Sequence, residues 1–442
     1  MTENNLRARF LEASNNLKLF PLLTAEELEK FCVNYDTETL LDLRQRIQDG
    51  PNNSKIILSG HTGCGKSTLL ANLAQDYQNQ FFVSLFSISD TIENSDVNYI
   101  NILFIIGLKL LESAEKANIS LPGSMQNDLI SWFGKTIITQ MAEFKAEAGV
   151  GANLLQWLVL KLKVDAGFRK EIKQEYAPKV SELVTKINEI AAVIETVTNK
   201  RVLVIIDDID KLDREIVLET FHGNIKSLFL PNFCIVYTLP IWALRDGELL
   251  PTLQSETSDQ LVAMRVMKIY AKGETRKPDP VPQKKAVETL KKILRLRLDR
   301  ESYLADPNSE SELIDEEAIN QAILYSGGVL RELVRITNEC CRICLRWLLQ
   351  EPEKTVKIDL DVLEIAVNNL RIQMARTLGK KRYEILQQVR QTYAPDDSED
   401  PDFFVLLKLL GVIEYRNDRE WYDVHPIVVD LLGEWERNHA NS

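Results

Sequence analysis

The stretch "KIILSGHTGCGKST", Lys55 to Thr68, opens as a short apolar strand and closes in a turn built of glycine and small polar residues. A helix-forming run, "LLANLAQDY", follows it. Gly60, Gly65, Lys66 and Ser67 satisfy the spacing G-x-x-x-x-G-K-[ST] in full. The residue types have a physical reason. Several backbone N–H groups can point into one hollow only in a tight, glycine-rich turn. A helix starting near Lys66 adds its positive end to that hollow. Such a site suits the phosphates of a nucleotide. The candidate phosphate-binding residues are Gly60, His61, Thr62, Gly63, Cys64, Gly65, Lys66, Ser67 and Thr68. Lys66 reaches the β- and γ-phosphates, and the Ser67 hydroxyl binds Mg²⁺. Cys64 reads as a small filler, with a redox-sensitive thiol as the alternative.

A phosphate loop needs an acid to hold the metal. "RVLVIIDDIDKLD" (Arg201–Asp213) is a continuous apolar strand that ends in carboxylates, where a parallel sheet opens at its C-terminal edge. Asp207 is the expected metal-side carboxylate, and Asp208 the group that orients or activates the attacking water. Asp210 and Asp213 are expected to cap or pair at the next helix. Farther on, Gly327–Gly328 in "YSGGVLRELVRITNE" opens a helix carrying Arg331 and, one turn later, Arg335. Arg331 is the candidate that reaches the γ-phosphate from a helical lid, a solvated helix face being the alternative. Arg265, Arg245 and Arg214 are weaker candidates for an arginine acting in trans.

The rest of the chain frames these elements. With 442 residues, 45% of them hydrophobic and 27% charged, the chain is a multidomain globular protein. A net charge of −12 argues against broad nucleic-acid binding. The greasiest windows, "INILFIIGLKLL" and "NLLQWLVLKLKV", are broken by Lys and read as buried helix faces rather than membrane spans. The six cysteines suggest neither a disulfide scaffold nor a metal site, so a cytoplasmic location is expected. Cys340, Cys341 and Cys344 are expected to pack on a helix, and His222 and His425 to be structural. Strand patterns over Lys55–Gly60, 80–90, 201–213, 232–240 and 263–270 alternate with helices and predict a parallel sheet covered on both faces. Residues 1–50 read as helices, 51–275 as the α/β core with a helical insert at 98–200, 283–378 as a helical lid, and 379–442 as a winged-helix domain. "KGETRKPDPVPQ" reads as a linker.

Together "GHTGCGKST", "VLVIIDDIDKLD", "VYTLP", "SGGVLREL" and the C-terminal pattern resemble the AAA+/STAND group of P-loop ATPases, over about residues 35 to 440. The "DDIDK" segment is most similar to the KAP pattern. Many AAA+ proteins carry Asp-Glu where this chain has Asp207–Asp208, and the proline usual in STAND proteins near the Gly-Gly segment is missing. The resemblance implies a P-loop NTPase core with a five-stranded parallel sheet of the additional-strand class. The interval of about 135 residues between Lys66 and the acid strand fits that class. It also implies Thr238 as a polar sensor of the γ-phosphate, and ATP and Mg²⁺ as cofactors.

The implied role is an ATP-driven switch that acts on a protein partner or effector and assembles with copies of itself when nucleotide binds, in signalling or antiviral defence. Two other readings stay open. One is a DNA-associated initiator or loader gripping a duplex with the winged helix. Residues 401–442, however, carry four Lys and Arg against eight Asp and Glu, a balance of −4. The other is a nucleotide-binding scaffold that does not hydrolyse.

Overall fold

A computed structural model describes residues 4–119, 154–417 and 419–439. The chain gathers into two compact units. One comprises Glu38–Ser59 and Leu70–Ala263; the other comprises Met1–Thr37, Gly60–Leu69 and Met264–Ser442. The middle of the expected helical insert, residues 120–153, lies outside the described residues, as does Asp418.

The first unit is built on a five-stranded parallel sheet in the order β2-β3-β4-β1-β5. Its strands are β1 (Lys55–Gly60), β2 (Phe81–Ser87), β3 (Arg201–Asp207), β4 (Cys234–Pro240) and β5 (Leu261–Ala263). β4 lies between β1 and β3. Every residue of β1 and β4 is buried, and all of β3 after Arg201. Continuous burial is what a sheet covered on both faces demands, and it explains runs of Val, Ile and Leu in place of alternation. Ile56, Ile57 and Leu58 are fully enclosed, each contributing roughly 2 kcal/mol of apolar burial.

The helix Tyr99–Lys116 is among the elements covering this sheet, and "INILFIIGLKLL" is buried in it as expected. Asn98 starts that helix by accepting the N–H groups of Ile100 and Asn101, both at 3.1 Å. Phe104 meets Phe168 and Tyr176 edge-on or tilted. Among the described residues, no helix is long and apolar enough to cross a membrane.

One strand differs from the sequence reading. The fifth strand is Leu261–Ala263, and the apolar run from Met264 to Tyr270 forms no strand. Met264, Val266 and Ile269 are nonetheless buried, so an apolar run here packs without pairing in a ladder.

The second unit is helical. Thr24 and Glu27 form a capping box on Ala25–Phe31. The helix Asn4–Asn16 packs on Leu330–Gln350, with Ser14 Oγ donating to Asn338 Oδ1 at 2.8 Å. Cys340, Cys341 and Cys344 are buried on Leu330–Gln350, as expected of packing residues. The "KGETRKPDPVPQ" segment is more firmly held than its prolines suggest. Arg276 donates to the Arg390 carbonyl, pairs with Asp423 at 3.0 Å and lies over the Tyr393 ring. At the C-terminal end, Pro401–Lys408 leads into an antiparallel pair, β6 (Val412–Asn417) and β7 (Arg419–Val424), and then Pro426–His439.

Candidate functional site

The phosphate-loop residues leave the end of β1 and enter the helix Lys66–Tyr77. Within its unit, the loop is held from both ends of the chain. The backbone N–H of Arg331 donates to the Gly63 carbonyl at 3.1 Å. Gly63 has φ +84, and a Cβ there would lie 2.5 Å from the Arg331 Cβ, so both conformation and space require glycine. The Tyr35 hydroxyl donates to the Cys64 carbonyl. Tyr35 is half-buried, and burial raises its pKa well above the usual phenol. The Thr68 hydroxyl accepts the Leu22 N–H at 3.1 Å. Lys66, buried, turns its ammonium to the Gly60 and His61 carbonyls at 2.8 and 2.9 Å. Ser67, half-buried, keeps a hydroxyl with no hydrogen bond among the described residues. Cys64 is buried and takes part in no disulfide.

His61 faces away from the hollow's purpose. Its Nε2 accepts the Glu414 N–H of β6 at 2.8 Å, which places the proton on Nδ1. Burial pushes its pKa down to about 4, so the ring is neutral and able to accept. His425 is also neutral, pushed to about 3 by burial, and its Nδ1 accepts the Ile427 N–H at 3.2 Å at the start of the last helix. His425 is structural, as expected.

Arg331 and Arg335 separate. Arg335 is occupied by Gln373 at 2.7 Å and by Glu332 at 3.4 Å. The Arg331 guanidinium makes no hydrogen bond or ion pair among the described residues. Of the other arginines weighed above, Arg214 pairs with the buried Asp246 at 2.6 Å and lies over Trp242, and Arg245 donates to the Leu244 carbonyl.

The acids belong to the sheet-bearing unit. Asp207 ends β3, and Asp208 turns into the left-handed region at φ +68. Asp207, Asp208 and Asp210 are all buried, with ligand atoms within 4.8 Å of one another. Asp210 stands in this cluster from within the short helical turn Ile209–Lys211. Asp213 occupies the cap position of Arg214–Leu218 but makes no side-chain cap bond. Asp208 is gripped at both oxygens, by Ser87 Oγ at 2.7 Å and by Lys211 Nζ at 2.6 Å. Thr238, fully buried in β4, accepts the Ile209 N–H at 3.2 Å. In this structure its hydroxyl therefore serves the acidic turn.

Sequence reasoning missed Ser87, Lys211, Tyr35, Leu22 and Glu414. Only Lys211 carried a local signal, its three-residue spacing from Asp208. The others reach the loop or the acids from distant parts of the chain.

Residues 41–236 match the KAP family P-loop domain, and this segment is a P-loop NTPase domain. No curated protein matches the chain. Among solved structures, the Cdc6p protein of Pyrobaculum aerophilum is 12% identical, with 91% of this chain and 95% of that chain covered at a TM-score of 0.40. The Aeropyrum pernix Orc1 protein in complex with DNA is 12% identical, covered over 93% and 95%, at 0.41. The Thermotoga maritima RuvB Holliday junction branch migration motor is 14% identical, covered over 94% and 99%, at 0.37. Likenesses this distant do not bear on function.

Proposed function

We propose that this protein is an ATP-driven switch of the AAA+/STAND kind that acts on a protein partner. The observation that carries this reading is the complete loop signature at the end of a buried strand, with Arg331 bonded to it through Gly63. The match of residues 41–236 to a P-loop domain supports it.

In this reading the loop amides and Lys66 take the phosphates of ATP, and Arg331 offers a guanidinium to them from the lid. Ser67 and Asp207 are the oxygen donors for Mg²⁺, which when bound neutralises phosphate charge. Hard oxygen ligands are what that ion takes, so the donor set fits it. Asp208 orients the attacking water. Thr238 contributes by fixing the Ile209 peptide. His61 links the loop to β6, so a change in the loop on nucleotide binding is felt by the C-terminal hairpin. We assign that hairpin and its flanking helices to a winged-helix domain used for protein contact, since its charge balance of −4 suits a duplex poorly. Nucleotide-dependent self-assembly in the cytoplasm, in signalling or defence, completes the proposal.

Phosphate release from ATP tests it. The wild type should release phosphate slowly, and Lys66→Ala and Asp207→Ala should each fall to background. Equal rates in all three would leave a nucleotide-binding scaffold in place of a hydrolase.

A further inference from the structure

The loop signature accounts for phosphate binding, but it does not account for how Asp208 is aimed. We infer that Lys211 is a positioning residue: its ammonium, with the Ser87 hydroxyl, fixes the Asp208 carboxylate in the orientation that turnover needs. This inference rests on the hydrolase reading above.

Asp carries one methylene fewer than Glu, so its carboxylate reaches less far from the backbone and swings about fewer bonds. The chain compensates in the backbone. Directly after β3, Asp208 adopts φ +68, ψ 8, a conformation that costs a non-glycine residue about 1 kcal/mol. A turn of that kind persists only where the surroundings over-determine it. Here three side chains from three elements do so. Ser87, the last residue of β2, sits in register with Asp207. Its hydroxyl accepts the Asp90 N–H at 3.2 Å, and its hydrogen is left to donate to Asp208 Oδ2. Thr238 holds the following peptide at Ile209. Lys211 then closes back on Asp208 Oδ1 from the short helical turn Ile209–Lys211.

With both oxygens engaged, one side-chain rotamer is selected, and the remaining lone pairs point in fixed directions. Lys211 also brings a positive charge to three carboxylates whose ligand atoms lie within 4.8 Å, and so opposes their mutual repulsion. Its side chain is 42% exposed, so the pair adds little to overall stability, and its purpose is better sought in geometry. Exposure also means that replacing Lys211 leaves the core untouched.

The test compares wild type with Lys211→Met and Lys211→Arg in the full chain, measuring steady-state phosphate release against ATP concentration, with thermal midpoints alongside. Lys211→Met should lower kcat about tenfold with KM within twofold, and Lys211→Arg should recover at least half of the loss. Thermal midpoints should stay within about 2 °C. If the wild type turns over and Lys211→Met matches it in kcat, or changes only the thermal midpoint, the positioning role is overturned while the hydrolase reading stands. If the wild type itself releases no phosphate, the hydrolase reading fails and takes this inference with it.

Discussion

The phosphate loop and the acidic turn are each about ten residues long or shorter, each follows a strand of the buried sheet, and they are secured by different means. The loop is held mainly through its backbone: Gly63 and Cys64 offer carbonyls to Arg331 and Tyr35, and glycines supply the conformation. Its tethers come from both ends of the chain. The turn Asp207–Asp210 has no glycine and is held by side chains, Ser87, Lys211 and Thr238, from within its own unit. A backbone-held element tolerates change in side chains but not in shape. A side-chain-held element should show the reverse.

The largest expected effect tests the shape of the loop's support. Gly328 has φ +83, and a Cβ there would lie 1.7 Å from the Met267 carbonyl oxygen. Gly328→Ala should cost about 4 kcal/mol, from left-handed strain and a backbone clash together, and lower the thermal midpoint by roughly 10 °C. A wild-type midpoint would mean the backbone that carries Arg331 adapts freely.

Acid comes next. His61 and His425 must be neutral to accept their N–H groups, and burial holds them near 4 and 3 against 6.5 when exposed. Unfolding lets both take protons. Their contribution is therefore whole above pH 6.5 and lost as pH falls toward 4, by about 2 kcal/mol per histidine at pH 5. Urea midpoints at pH 7 and 5 measure it. His61→Gln keeps an acceptor but cannot titrate, so it should flatten part of that acid limb; an unchanged limb would remove His61 from the account.

The smallest effect concerns the turn. Thr238→Val keeps the shape but strands the buried Ile209 N–H, costing about 1–2 kcal/mol in urea denaturation. A neutral result would show the turn is held without Thr238, and would weaken the contrast with the loop.

This contrast also explains what the sequence made legible. The loop's glycines and Lys66 announce themselves because conformation and spacing are local properties. The buried strands ending at Gly60 and Asp207 do so because a covered parallel sheet needs continuous apolar runs. The supports of the acidic turn are long-range. Ser87 lies 121 positions from Asp208, and a serine ending a strand signals nothing by itself. Glu414 reaches His61 across 353 positions through its backbone, which no side-chain pattern could disclose. Met264–Tyr270 misled because a short apolar run can be buried by packing without pairing in a ladder. Prolines marked the linker because they signal an irregular backbone; how firmly Arg276 ties it is a long-range property that they do not disclose.

Calorimetric titration of the full chain with ATP and Mg²⁺ tests the central claim most directly. The wild type should bind with a saturating heat signal, and Lys66→Ala should weaken binding at least a hundredfold while keeping its thermal midpoint. No heat from the wild type, or equal affinity in the variant, would contradict the account.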